Sequence, residues 1–151
     1  MLERLIASAG SWQGTSVLQD PGHIEPDSST SGLTVTPILD GRFVRLDYTW
    51  SYRGAPHNGS LLIGWQKKAG TVSMHWIDSW HNGDNLMAMA GRAETSTLLT
   101  AQGTYAAPPG PDWGWKIAVT PEIDGRLRLV MYNISPEGQE FLAVEGEYAR
   151  T

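Results

Sequence analysis

The sequence predicts an all-β fold: an up-and-down antiparallel β-barrel of about ten strands with a short N-terminal helical segment. Three observations carry the prediction. A tryptophan between two glycines, Gly10-Ser11-Trp12-Gln13-Gly14, opens a chain that then reads as strand after strand. Thr, Val, Tyr, Trp and Ile recur in short runs separated by turn chemistry. After the first few residues no segment reads as a helix long enough to cover a sheet face, so the meander hides its apolar side by closing on itself, which also removes exposed edges.

Leu2, Leu5 and Ile6 stand at helical spacing, which predicts one or two helical turns over residues 2–8. The predicted strands are 11–18, 32–39, 42–52, 58–66, 71–79, 86–93, 97–105, 113–121, 126–134 and 139–149. Turn signals separate them. Asp40-Gly41 and Asp124-Gly125 suit tight hairpins, because both central residues tolerate positive φ. Gly54-Ala55-Pro56-His57-Asn58-Gly59, Lys67-Lys68-Ala69-Gly70, His81-Asn82-Gly83-Asp84, Pro108-Pro109-Gly110-Pro111 and Ser135-Pro136-Glu137-Gly138 supply the rest. Short connections make sequential strands antiparallel neighbours. Only Gln19–Ser31 is long, and its Pro, Asp and Ser content suits a flap over one open end.

Alternation proposes the inner face. Val44, Leu46, Tyr48, Trp50 and Tyr52 share one side of their strand, with Arg45, Asp47, Thr49 and Ser51 on the other. Val72, Met74, Trp76, Asp78 and Trp80 form a second inward set, and Trp113, Trp115, Ile117 and Val119 a third. Strands 33–39, 86–93 and 126–134 read either way, and a register slip of one residue reverses any such assignment.

Composition narrows the function. The 151 residues are 40% hydrophobic and 18% charged, a globular balance large enough for one domain with a core. Seven tryptophans and 17 glycines suit tight turns around an aromatic interior. A net charge of −5, with scattered basic residues, lacks the footprint that nucleic-acid binding requires. There are no cysteines, so disulfides, thiolate nucleophiles and Cys-based metal sites are excluded. The first residues are too charged for a signal-peptide core, and no run approaches the ~20 apolar residues that span a bilayer. The expectation is a cytoplasmic protein without a membrane partner.

Gly10-x-Trp12-x-Gly14, Ile38-Leu39-Asp40-Gly41-Arg42-Phe43, Gly59 and Gly64 around an aliphatic strand, Trp76-Ile77-Asp78-Ser79, Glu137-Gly138-Gln139-Glu140-Phe141 and Glu147-Tyr148-Ala149-Arg150 together resemble an uncharacterised bacterial family of unknown function. The resemblance covers nearly the whole chain. It implies a calycin-like barrel, of lipocalin or fatty-acid-binding-protein type, and no established activity. The haem-binding nitrobindins are similar in strand number and in the same opening motif. Their proximal haem histidine lies near the C-terminus, whereas the last histidine here is His81.

The densest group of candidate residues is His75-Trp76-Ile77-Asp78-Ser79-Trp80-His81. Extended geometry opposes a triad within it. Asp78 lies on the opposite face from His75, Ser79 and His81, and His75 and Ser79 are ~13 Å apart, against the ~3 Å of a hydrogen bond. The only other histidines, His23 and His57, fall in predicted loops, so neither a metal nor a cofactor is expected. His75 and His81 read as solvent-side or rim residues. Asp78, between inward tryptophans, needs a partner such as Arg45, Arg92, Arg126 or Arg128. It is either a polar anchor for a ligand or, the plainer reading, a brace for a Trp N–H, an Arg or a turn. Glu145 and Glu147 read as a solvated outer face.

Trp12 is expected to plug one end. The other tryptophans either line a cavity or fill the barrel, and ten strands leave room for a small ligand. No Walker loop or Gly-x-Ser-x-Gly elbow occurs. The expected ligand-binding set is Arg45, Tyr48, Trp50, Trp65, Trp76, Asp78, Trp80 and Trp115, holding a small hydrophobic or aromatic molecule. Two other readings stand beside it: an enzyme using the same cavity, and a filled barrel acting through its surface, for example as a homodimer.

Overall fold

The computed structural model describes residues 2–151. A short helix, α1 (Glu3–Ala7), precedes ten strands: β1 (Gly10–Leu18), β2 (Asp27–Ile38), β3 (Phe43–Tyr52), β4 (Ala55–Gln66), β5 (Thr71–Asp78), β6 (Met87–Thr95), β7 (Leu98–Tyr105), β8 (Trp113–Ile123), β9 (Arg126–Ile134) and β10 (Glu140–Arg150). Each strand pairs antiparallel with its sequence neighbours, and β1 pairs with β10 from Trp12↔Arg150 to Leu18↔Val144. The sheet is therefore a closed up-and-down barrel. No helix among the described residues is long and apolar enough to cross a membrane.

Two boundaries differ from expectation by three residues or more. Strand β2 begins at Asp27 rather than 32, because Ser28–Ser31 pair with Val17–Gly14 of β1. Their polarity disguises a strand whose side chains either face outward or, like Ser31, bond internally: its Oγ donates to the Thr49 carbonyl at 2.7 Å and lies 3.0 Å from the Tyr148 hydroxyl. The flap shrinks to residues 19–26. Strand β4 begins at Ala55, because the turn is only Arg53-Gly54, with φ of 48° and 80°. A two-residue turn with positive φ matches the twist of the flanking strands, so Pro56, His57 and Asn58 join the ladder.

The inner faces of β3, β5 and β8 follow the predicted alternation. The ambiguous strands resolve with Leu33 and Val35, Met87 and Met89, and Leu127, Leu129 and Met131 against the core. One end of the barrel is packed solid. Leu5 of α1 and Trp12 are fully buried there. Trp12 Nε1 donates to the Ser8 carbonyl at 2.9 Å, and the Arg150 guanidinium lies 4.6 Å from the centre of the Trp12 ring while donating to the Ala7 and Ala9 carbonyls. Above this plug, Leu46, Leu61, Ile63, Met74, Leu99, Ile117, Leu127, Leu129 and Met131 fill the interior. Gly14 lets the seam close: a Cβ there would lie 1.8 Å from the Glu147 carbonyl oxygen.

Candidate functional site

The opposite end is built around the end of β5. Strand alternation turns Val72, Met74, Trp76 and Asp78 inward. Beyond Asp78 the chain makes a turn instead of continuing the ladder. Asp78 Oδ1 accepts the backbone N–H groups of Trp80 at 2.9 Å and His81 at 3.0 Å, the local bonding by which an aspartate sets a turn. Asp78 Oδ2 accepts the Tyr48 hydroxyl at 2.7 Å and Trp50 Nε1 at 3.3 Å, and the Tyr48 oxygen accepts Trp76 Nε1 at 2.9 Å. The carboxylate thus ties β3, β5 and the following turn together.

This network sets the charges. Burial pushes the Asp78 carboxyl up. The adjacent His81 ring, the Tyr48 hydroxyl and the His81 backbone N–H outweigh burial and hold it down at about 2. Burial, reinforced by the Asp78 charge, keeps the Tyr48 hydroxyl protonated far above the usual tyrosine range.

Of the two places the sequence left open for His81, solvent side or rim, the structure has the rim, and more buried than a rim residue need be: the turn set by Asp78 carries its ring back over the barrel mouth. The side chain is 11% exposed. Four indoles surround it, with ring centres 4.7 Å (Trp80), 5.2 Å (Trp115), 5.5 Å (Trp50) and 5.6 Å (Trp76) away. Its Nδ1 lies 3.1 Å from Asp78 Oδ1 but off the line of a good hydrogen bond, so the contact is chiefly electrostatic. The signal was present in the sequence as an aspartate three residues before a histidine at the start of a turn-forming stretch, Asp78-Ser79-Trp80-His81-Asn82-Gly83.

A cavity of about 730 Å³ occupies this mouth, bordered by Leu18, Pro21, Trp76, Trp80, His81, Leu86, Met87, Tyr105, Trp115 and Asn133 among others. That volume falls within the range of small-molecule sites. Trp76 and Trp115, stacked at 5.1 Å and 7°, form its floor, one inward position above Met74 and Ile117 of the packed core. Among the described residues bordering it there is no Lys, Arg, Asp or Glu. Besides His81 Nδ1, two polar atoms of residues in its wall, Asn82 Oδ1 and Trp115 Nε1, are covered by protein and have no hydrogen-bond partner. Such buried unpaired groups are rare in folded proteins. A second concavity of about 580 Å³ lies on the outer face of β1–β5, bordered by Gln13, Thr34, Thr49, Asn58 and Ser60. It is an open surface groove that also takes in Asp47 and Ile77.

The expected set therefore divides. Trp76, Trp80 and Trp115 line the cavity. Trp50 stands against Trp80 and His81. Tyr48 and Asp78 sit behind His81 as its support, and Asp78 braces two side chains and the turn without any arginine. Two residues lie away from this cavity. Arg45 is exposed on the outer face, where its Nε donates to Asp47 at 2.7 Å, so it reaches nothing inside. Trp65, paired with Val72, packs against the core near the opposite end of the barrel. Ser79 meets His57 at 3.1 Å, not His75, which points outward. Glu145 and Glu147 pair across the outer face with Arg128 and Arg126. Among the described residues no group of three His, Cys, Asp or Glu side chains could hold a metal ion.

Fold and site together define a closed ten-stranded barrel, solid at one end and hollow and tryptophan-walled at the other. The chain belongs to the family described as protein of unknown function (DUF1579), whose profile matches residues 2–150. The solved structure of Rv2717c from M. tuberculosis is similar, with a TM-score of 0.65 and 12% identity over 99% of this chain and 96% of that one. At that identity the likeness is one of fold. No curated protein matches this chain.

Proposed function

We propose that this protein binds a small, largely apolar or aromatic molecule non-covalently in the cavity at the barrel mouth. The observation that carries this reading is the contrast between the two ends. The same ten strands pack solid around Leu61, Ile63 and Met74, yet above the Trp76–Trp115 stack they leave about 730 Å³ walled by aromatic side chains. Aromatic walls supply affinity by burying apolar area, and a few polar groups fix orientation. Trp80, 38% exposed at the rim, would contact an arriving ligand.

Tryptophan fluorescence titrated with naphthalene and with fatty acids tests this. A saturable change is expected with at least one of them, and Trp80→Ala is expected to weaken binding by about tenfold. A flat response to both, from protein shown to be folded by circular dichroism, overturns the proposal.

A further inference from the structure

We propose that the cavity selects a neutral hydroxyaromatic molecule, a phenol or naphthol, whose hydroxyl donates to His81 Nε2. This rests on the interior-binding reading above and gives it a ligand class.

The argument begins with the tautomer. His81 Nδ1 faces the Asp78 carboxylate at 3.1 Å. The contact is off the line of a hydrogen bond, but the negative carboxylate favours the proton on the nearer ring nitrogen, so Nδ1 carries it. A histidine held this way by a carboxylate presents Nε2 as the acceptor when the ring is neutral. Nδ1 is covered by protein. Nε2 is neither covered nor bonded to any described residue, and the ring borders the cavity.

Charge then discriminates between ligands. Among the described residues bordering the cavity no lysine or arginine is present to meet a carboxylate. His81 could meet one only as a cation, and Asp78 already balances that charge. An aromatic or fatty acid would therefore meet only neutral polar groups, such as the amides of Gln19, Asn85 and Asn133, and no cation, which is costly in a low-dielectric site. A neutral hydroxyl asks for one acceptor, and Nε2 is that acceptor. The indoles of Trp76, Trp80 and Trp115 supply the apolar walls for its ring.

The test is isothermal titration calorimetry at about pH 8, above the usual histidine range, with naphthalene, naphthol, naphthyl methyl ether and naphthoic acid. Naphthol is expected to bind about tenfold or more tightly than its methyl ether, which cannot donate, with the acid the weakest. In His81→Phe, or His81→Leu if the first variant does not fold by circular dichroism, the ratio of naphthol to ether affinity is expected to fall to about twofold or less. Equal binding of naphthol and ether by the unaltered protein, a preference for the acid, or a preference surviving in the histidine variants each overturns the hydroxyl assignment. Naphthalene binding without such selectivity leaves the interior-binding reading standing. Failure of all four aromatic compounds removes the hydroxyaromatic class, and the fatty-acid titration then decides the interior-binding reading separately.

Discussion

Asp78 accepts two side-chain and two backbone donors while 3% exposed, and its ionised form is what those donors bind. Its carboxyl is held at about 2 in the folded chain, against an ordinary 3.8. A depressed carboxylate stabilises the fold fully above about pH 4 and loses that contribution as pH falls through about 2, and the contribution is about 2 kcal/mol. Asp20 is also held at about 2, chiefly by the Tyr52 hydroxyl, and acts in the same direction. Urea unfolding of Asp78→Asn should therefore show reduced stability near neutral pH and a shallower loss of stability on acidification. An acid profile identical to that of the unaltered protein would show that the network does not depend on this charge. Asp78→Ala leaves the buried Tyr48 hydroxyl and Trp50 N–H without their acceptor, and should cost about 3 kcal/mol or more.

The element most sensitive to a single atom is the seam between β1 and β10. A methyl group at Gly14 meets the Glu147 carbonyl oxygen at 1.8 Å, and backbone cannot move aside as a side chain does. Gly14→Ala should cost about 3 kcal/mol, the upper range for forced overpacking. Gly32 of the adjacent β2 is the control: a Cβ there meets its nearest neighbour at 3.4 Å, an ordinary contact, and φ is not positive. Gly32→Ala should stay within about 0.5 kcal/mol. Denaturant midpoints of the two variants decide the matter. Equal effects would mean that the seam yields more easily than its geometry suggests. The β3–β4 turn shows the same dependence on backbone: Arg53 and Gly54 both take positive φ, and that pair lets Pro56 stand inside a ladder.

At the scale of the whole molecule, the solid and hollow ends separate stability from binding. Leu61 is fully buried in the packed half, and Leu61→Ala should cost about 2–5 kcal/mol by cavity formation while leaving naphthalene affinity within about twofold. Trp80→Ala, at the exposed rim, should cost about 1 kcal/mol in stability and act mainly on affinity. Thermal unfolding and calorimetric titration of both variants check this division. If Leu61→Ala also abolishes binding, the two ends are coupled through the strands, and the picture of a rigid base beneath an independent mouth is wrong.

The chain by itself determined ten strands, their antiparallel order, the need to close, the plug at Trp12 and most inward faces. These are legible because alternation with period two and positive-φ turns are local properties, and a meander without covering helices has one way to bury its apolar side. The serine-rich start of β2 was hidden because its pattern is polar on both sides, and its inner polar group is met by Tyr148 from the far end of the chain. The outward face of Arg45, beside Asp47, was legible in the alternation. Only the tertiary structure decided that Trp65 belongs to the packed end, that a cavity lies at the other, and that His81 turns inward. Each of these depends on atoms distant in sequence. The N–H groups of Trp80 and His81 make the turn locally, but Tyr48 and Trp50 from another strand hold the Asp78 carboxylate that accepts them, and the cavity lies above a stack that joins Trp76 of β5 to Trp115 of β8.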